Sequence, residues 1–334
     1  MNYIGSKISL LDFIHETISS VTGYKEGDRY IFADLFAGTG VVGASYRKQG
    51  CEVISNDIQY YSYVLNKYII ENESQADTEL LDYLNNLKGI DGFVYNNYCA
   101  GSGSGRSYFT DENGRKCDAI RTELENLYKN NEISDETYFC FLAGLINSID
   151  KYANTASVYG AFLKHIKESA QKPLELELLP YSGGVKGKVY NENINDLILK
   201  VKGDVLYLDP PYNARQYCTN YHVLETIARY DSPEIKGKTG LRDYEMQKSK
   251  YCSKRTLESE FENLISNAKF KYIFLSYNNE GLMSVKSIEE IMSKYGDYKC
   301  FTKAYRRFKA DKDENRNIGG SETTEYLHYV IKEV

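Results

Sequence analysis

The chain contains no tryptophan, only five prolines and four histidines, and its seven cysteines form no C-x-x-C pair. Each scarcity removes a class of reading. Cysteines scattered at 51, 99, 117, 140, 218, 252 and 300 supply no zinc-ligand spacing, so no metal is expected. No apolar run approaches the ~20 residues that a membrane span needs, so no membrane partner is expected. The opening residues Met1 to Lys7 lack a basic stretch followed by an apolar one, and no secretory signal is visible. Scattered cysteines without an export signal point to reduced thiols in a cytoplasm. A formal net charge of −6 speaks weakly against a nucleic-acid partner.

What is present is ordinary in bulk and uneven in detail. With 334 residues, 42% hydrophobic and 26% charged, the chain is long enough for one large α/β domain or a domain carrying an insertion. Lys236 to Arg255 holds seven basic residues against two acids, and Lys299 to Lys309 holds five against none. Such runs usually form solvated faces; they also build the positive surface that meets phosphates. Tyrosine, with 32 copies, carries most of the aromatic content. Its ring suits interfaces and base stacking, although enrichment alone assigns neither.

The order of elements is informative. Tyr30 to Phe36 is β-prone and apolar, Ala37-Gly-Thr-Gly40 is a tight turn, and Val41 to Lys48 reads as a helix closed by Gly50. Glu52 to Ser55 is a second strand ending at Asn56-Asp57, and Ser62 to Ile70 reads as a helix. This is the β-α-β grammar of a nucleotide-binding half-sheet. Between 85 and 188 the pattern turns helical. Asp118 to Asn130 carries a stripe at Ile120, Leu124, Leu127 and Tyr128, and Ser134 is a candidate N-cap for a buried helix over 135–149. Sheet grammar resumes with Val205 to Leu208 and Tyr272 to Tyr277. Cys300 to Phe308 and Tyr326 to Ile331 suggest an antiparallel pair around the polar loop Ala310 to Gly320.

Two stretches carry chemistry. In Asp34-Leu-Phe-Ala-Gly-Thr-Gly40 the glycines let backbone approach a ligand, and the next helix offers free N–H groups. An acid at that strand end repels a pyrophosphate and suits a cation. A short glycine turn alone serves a structural purpose equally often. Asp57, ending the next strand, has the position of an acid that accepts from ribose hydroxyls. In Asp209-Pro-Pro-Tyr212 an acid and two residues without N–H donors follow an apolar strand. Their carboxylate and rigid carbonyls are acceptors for an exocyclic amine, and the tyrosine ring can stack on a planar base.

Asp209-Pro-Pro-Tyr212, with Asp34 to Gly40 upstream, resembles the S-adenosylmethionine-dependent DNA adenine-N6 methyltransferases. Asn2-Tyr-Ile-Gly-Ser-Lys7 is similar to the family's extra cofactor motif, in the arrangement where it precedes the glycine motif. Tyr108 to Gly114, Ala153 to Thr155 with Val158 to Ala161, and Asn213 to Ala228 resemble its restriction–modification subset. The resemblance implies a doubly wound, Rossmann-like α/β methyltransferase sheet with an inserted, mostly helical target-recognition domain. Residues 1–84 would be the cofactor half, 85–188 the insertion and 189–334 the catalytic half.

It further implies S-adenosylmethionine as cofactor, S-adenosylhomocysteine as its product, and double-stranded DNA as partner, with a cognate restriction endonuclease elsewhere. Tyr3 and Lys7 would border the cofactor. Asp34, Phe36, Gly38 and Gly40 would form its methionine pocket, Asp57 would bind the ribose, and Ile58 would lie against its adenine. Asn193 stands where the family often has an acid accepting from that adenine's amine, with Asp196 as competitor. Asp209 and the Pro210 carbonyl would hold the target amine, supported by Pro211, with Asp209 also bordering the cofactor, and Tyr212 would stack on the flipped base. The insertion is near neutral, with 12 Lys/Arg and 13 Asp/Glu. DNA-contact candidates are therefore few: Arg106, Arg115 and Lys116, beside Arg215 after the motif. The histidines read as structural, with His222 the one exception. An RNA adenine or protein glutamine methyltransferase, a non-catalytic nucleic-acid-binding subunit and a dinucleotide oxidoreductase are the rival readings.

Overall fold

Seven strands form one mixed sheet in a computed structural model that describes residues 5–73, 77–181, 183–306 and 322–333. The strands are β1 (Ile31–Asp34), β2 (Glu52–Asn56), β3 (Lys188–Tyr190), β4 (Lys202–Leu208), β5 (Lys269–Asn278), β6 (Asp297–Arg306) and β7 (Glu322–Ile331). Their order is β3-β2-β1-β4-β5-β7-β6. The first five run parallel, β7 is antiparallel to β5, and β6 is antiparallel to β7. This is the α/β sheet that the sequence implies. The short strand β3 had no signal there, and the expected loop Ala310 to Gly320 lies outside the described residues.

By its contacts the chain divides into two compact units. A sheet unit takes Ser6–Ile58, Ser182–Gln216 and Lys248–Val334; a helical unit takes Met1–Gly5, Gln59–Tyr181 and Tyr217–Gln247. The boundaries expected at 84/85 and 188/189 do not coincide with these divisions.

In the sheet unit, period-2 alternation sends residues to opposite faces. Ala33, Leu35, Leu206, Leu208, Ile273 and Leu275 share a core with Leu257, Phe261 and Leu264 of the helix Leu257–Asn267 and with Ile288 and Met292 of the helix Val285–Met292. Phe32 alternates to the other face and stacks on Tyr46 of the helix Val41–Lys48 at 3.7 Å between centroids. Parity therefore sends Asp34, two residues after Phe32, to the face of that helix.

The helical unit packs differently. The helices Asp111–Lys129, Asp135–Lys151 and His222–Arg229 enclose fully buried Tyr98, Tyr108, Tyr159 and Tyr221. A buried phenol needs a partner. The hydroxyls of Tyr68 and Tyr108 donate to the carbonyls of Leu179 (2.7 Å) and Tyr159 (2.6 Å), and that of Tyr159 to Asp150 (2.9 Å). Arg121, buried, donates from Nε to the Ile227 carbonyl and from Nη1 to Glu125. Much of the tyrosine enrichment is thus internal. Ser134 caps its helix as expected, accepting from the Thr137 N–H. The helix expected from Asp118 starts a full two turns earlier, at Asp111, capped by Thr110. Gly114 interrupts the sequence signal there because a Cβ would sit 2.0 Å from Cys99 Sγ.

Candidate active site

The sheet order reverses between β1 and β4: β2 and β3 follow on one side, β5 on the other. Ligands of open α/β sheets bind beyond the carboxyl ends of strands at such a reversal. Asp34 closes β1 and pairs in register with Tyr207, two residues before Asp209. Asp57 follows the end of neighbouring β2. The two acidic motifs, 175 residues apart in sequence, are thereby brought to one end of two adjacent strands.

The turn after β1 is built by its glycines. Gly38 and Gly40 adopt φ of 52° and 75°, the left-handed region that favours glycine. Gly40 caps the helix Val41–Lys48, and its N–H bonds to the Ala37 carbonyl at 2.8 Å. The Gly38 N–H donates to Asp57 Oδ2 at 2.9 Å, tying the glycine turn to the second acid. Asn191 holds the backbone of Asp57 through its carbonyl at 2.7 Å.

Asp34 is 1% exposed, and its Oδ2 accepts from the Gly43 N–H at 3.2 Å. Its Oδ1 is buried with no hydrogen-bond partner among the described residues. Burial, then the nearby Asp209 carboxylate, pushes its pKa up to about 7. A buried acid with one oxygen unmatched costs folding energy. Such an oxygen can accept from a cationic donor.

The second half of the site is an ion pair. Lys7 Nζ lies 2.7 Å from Asp209 Oδ2, with the Lys7 side chain 8% exposed. Burial works against the charged Lys7, but the carboxylates of Asp209 and Glu325 outweigh it and raise its pKa. Burial also pushes Asp209 up, opposed by Lys7. Pro210 is buried, Pro211 and Tyr212 half-buried, and the Tyr212 carbonyl accepts from the Leu282 N–H at 3.0 Å. Among the described residues no donor reaches the Pro210 carbonyl. Burial raises the Tyr212 phenol, so its ring stays neutral.

Other sequence-derived candidates are found as follows. Phe36 is half-buried, edge-on to Tyr251 at 5.1 Å, and Ile58 is half-buried beside Asp57. Asn193 is exposed and caps the short helix Ile194–Leu197, its amide oxygen accepting from the Asn195 N–H at 2.9 Å. Asp196 is exposed within that helix. Arg215 is exposed, with its carbonyl 3.4 Å from Cys252 Sγ. Tyr3 lies outside the described residues. In the helical unit, Lys116 donates to the carbonyls of Asn85 and Leu87, and Arg115 pairs with Asp91 at 2.5 Å and lies over the Tyr95 ring. Arg106 spends Nε, Nη1 and Nη2 on the carbonyls of Lys238, Asn97 and Gly237. Both ring nitrogens of buried His222 face carbonyls, and burial lowers its pKa.

Sequence reasoning missed Glu325. It pairs with Asn278, three residues past the Leu275 that pairs with Leu208, so β7 brings it to the end of the sheet where Asp209 leaves β4. Burial raises its pKa, with Lys7 opposing. The available signal was an acid immediately before a β-prone run. Among the described residues no group of His, Cys, Asp or Glu is arranged to hold a metal, and no helix is long and apolar enough to cross a membrane. All seven cysteines are free thiols.

Comparison with known proteins agrees with this geometry. Residues 3–293 match the model of the D12 class N6 adenine-specific DNA methyltransferases. The chain is 52% identical to the type II methyltransferase M.NlaIII of Neisseria lactamica, over 99% of both chains. It is 41% identical to the type II methyltransferase M.FokI of Planomicrobium okeanokoites, over all of this chain and 53% of that protein. It is 36% identical to the type II methyltransferase M.CviAII of Paramecium bursaria Chlorella virus 1, over all of this chain and 99% of that one. The RNA, protein-amine, non-catalytic and oxidoreductase alternatives gain no support from these matches. A glycine-cradled acid at β1, a second acid at β2 and an Asp-Pro-Pro-Tyr run at β4, in a chain matched over most of its length, mark it as a member of the D12 class N6 adenine-specific DNA methyltransferases.

Proposed function

We propose that the chain methylates the N6 amine of an adenine flipped out of duplex DNA at a specific sequence, as the modification partner of a restriction system or a descendant of one. A flipped base is required because the amine of a paired, stacked adenine cannot reach a pocket at a sheet end. The observation that carries this reading is the unmatched, buried Oδ1 of Asp34 at the same sheet end as the Lys7–Asp209 pair. An acid of that kind fits the ammonium of S-adenosylmethionine. When bound, that cofactor supplies a methyl group activated by a positively charged sulfur.

The residues divide the remaining work. Asp34, Phe36, Gly38 and Gly40 hold the methionine end, with Lys7 beside it. Asp57 receives the ribose hydroxyls and Ile58 packs on the cofactor's adenine. Asn193 accepts from that adenine's amine only if it shares its capping oxygen. Asp209 and the Pro210 carbonyl accept the two hydrogens of the target amine. That would align the nitrogen lone pair and make the nitrogen more pyramidal; the proton it sheds once methylated would pass to the Asp209 carboxylate and from there to water. Lys7 opposes the effect of burial on Asp209 and so favours the carboxylate form that accepts hydrogen bonds. Pro211 fixes the direction of the turn, and Tyr212 stacks on the base. Most of the rate enhancement then comes from orientation. The insertion at 85–188 reads the target.

Purified protein should transfer labelled methyl from S-adenosylmethionine to unmethylated duplex DNA, giving N6-methyladenine. Asp209→Ala should lower turnover on the order of 10²–10³-fold, the range for one lost transition-state contact. S-adenosylmethionine binding should fall far less than turnover. A variant that still turns over like the parent would remove Asp209 from the chemistry.

A further inference from the structure

The basic run Lys236 to Arg255 is not one undivided positive surface. Arg242 is buried against Asp231, with two bonds of 2.9 and 2.6 Å, and Lys250 pairs with Glu260 at 2.7 Å. The start of the run is different. Lys236 and Leu241 exchange backbone bonds of 2.7 and 2.9 Å, closing the turn Gly237-Lys-Thr-Gly240. Gly237 and Gly240 both adopt φ of 70°.

All four carbonyls of this turn are held from beneath by side chains of the helical unit. Arg106 Nη2 donates to the Gly237 carbonyl at 2.9 Å and its Nε to the Lys238 carbonyl at 3.2 Å. Tyr108 Oη lies 3.1 Å and His222 Nε2 2.8 Å from the Thr239 carbonyl. Tyr98 Oη donates to the Gly240 carbonyl at 3.0 Å. Gly240 must be glycine for this packing, since a Cβ would lie 2.8 Å from Arg106 Nε and 2.9 Å from the Tyr98 ring. Four carbonyl dipoles thus point inward. Lys236 and Lys238 are exposed, and the N–H groups of Lys238 and Thr239 meet no acceptor among the described residues. Glu234, exposed, lies 3.6 Å from Lys236, a pair of little strength.

We propose that the Lys236–Leu241 turn is a preformed contact for the phosphate backbone of DNA, and that Arg106 positions it without touching DNA itself. The inference rests on the DNA-methylating reading above. Turning every carbonyl inward removes the acceptors that would repel a phosphate. What remains outward are ammonium and amide donors, the chemistry of an anion-binding loop. The contact carries no sequence information, so it should act on any duplex.

The test uses the full chain and a fluorescent duplex of random sequence, titrated across a range of salt. Each lost phosphate contact should reduce the slope of log affinity against log salt by about 0.9. Lys236→Gln with Lys238→Gln should lower the slope by nearly two contacts and leave S-adenosylmethionine binding unchanged. Arg106→Lys separates the two roles for that residue. A lysine keeps the charge but not the fork to the two carbonyls, so a positioning residue loses slope and a direct contact keeps it. Adding Arg106→Lys to the double-lysine variant should lower the slope no further. An unchanged slope in the double-lysine variant overturns the contact. An unchanged slope in Arg106→Lys, or additive loss, overturns the positioning role. If Arg106→Lys melts early, the surface lysine variants still decide the contact. Wild-type protein that transfers no methyl to DNA would instead defeat the underlying reading.

Discussion

The sheet unit and the helical unit bury side chains by different chemistry. In the sheet unit, strand residues alternate between two faces, and Asp34, Ser55 and Asn56 are buried polar residues at strand ends. In the helical unit, polar groups reach into the core and bond to backbone far away in sequence, as Tyr108 does to Tyr159 and Thr239. The first arrangement leaves its strain at the site; the second spends its polar groups on the fold. The two units should therefore respond in opposite directions to the same kind of substitution.

Asp34 gives the largest expected contrast. Its pKa of about 7 in the fold stands above the ordinary 3.8. A folded-state carboxyl that holds its proton more tightly than the unfolded chain loses stability as pH rises from near 4 to near 7, and the full penalty persists above that window. Asp34→Asn does not titrate. At pH 8 it should be more stable than the parent by up to a few kcal/mol, and the difference should vanish near pH 4. Binding of S-adenosylmethionine, read by calorimetry, should fall at the same time. A variant less stable than the parent at pH 8 would mean that the buried acid is not a source of strain.

Tyrosine to phenylalanine tests the comparison more directly. Tyr108→Phe removes the hydroxyl facing the Tyr159 and Thr239 carbonyls, and should cost about 1–3 kcal/mol in urea unfolding. Tyr46 in the sheet unit is as deeply buried, stacked on Phe32, but its hydroxyl has no hydrogen-bond partner among the described residues. Tyr46→Phe should be neutral or stabilising, since it removes an unmatched polar atom. Equal losses at both positions would erase the distinction between the units.

The same distinction governs what could be read without coordinates. The strands β1, β2, β4 and β5 are apolar runs with turn residues at their ends, and the helix Val41–Lys48 was read with its limits unchanged. Asp34, Asp57 and Asp209 lie at the ends of such runs, which is why a sheet end could be assigned to them. Glu325 was hidden because its meaning depends on β7 pairing antiparallel with β5, a long-range fact. Arg106, Arg115 and Lys116 look like loop charges in the sequence. Their partners are carbonyls or acids, and Arg106 reaches 131 and 132 residues along the chain for two of them. Local patterning carries no signal for bonds of that span.

If that account is right, interactions made within one helical turn should be worth the same in both units. Two caps provide the comparison. Ser134 in the helical unit accepts from the Thr137 N–H at 3.2 Å, and Ser284 in the sheet unit accepts from the Ser287 N–H at 3.0 Å. The hydroxyl at the third position lies 3.0 Å from the cap in the first and 2.9 Å in the second. Ser134→Ala and Ser284→Ala should each cost about 1 kcal/mol. The helix after Ser134 has Asp135 and Glu136 in its first turn, whereas that after Ser284 has Lys286 there. Acids favour a helix N-terminus and a lysine does not, by a few tenths of a kcal/mol at an exposed site. Ser134→Ala should therefore be cushioned slightly by its acids, and the two costs should agree to within about 0.5 kcal/mol. A larger gap, measured by urea unfolding of the two variants, would mean that unit context reaches even into a single helical turn, and that local sequence is legible only where the surrounding packing allows it.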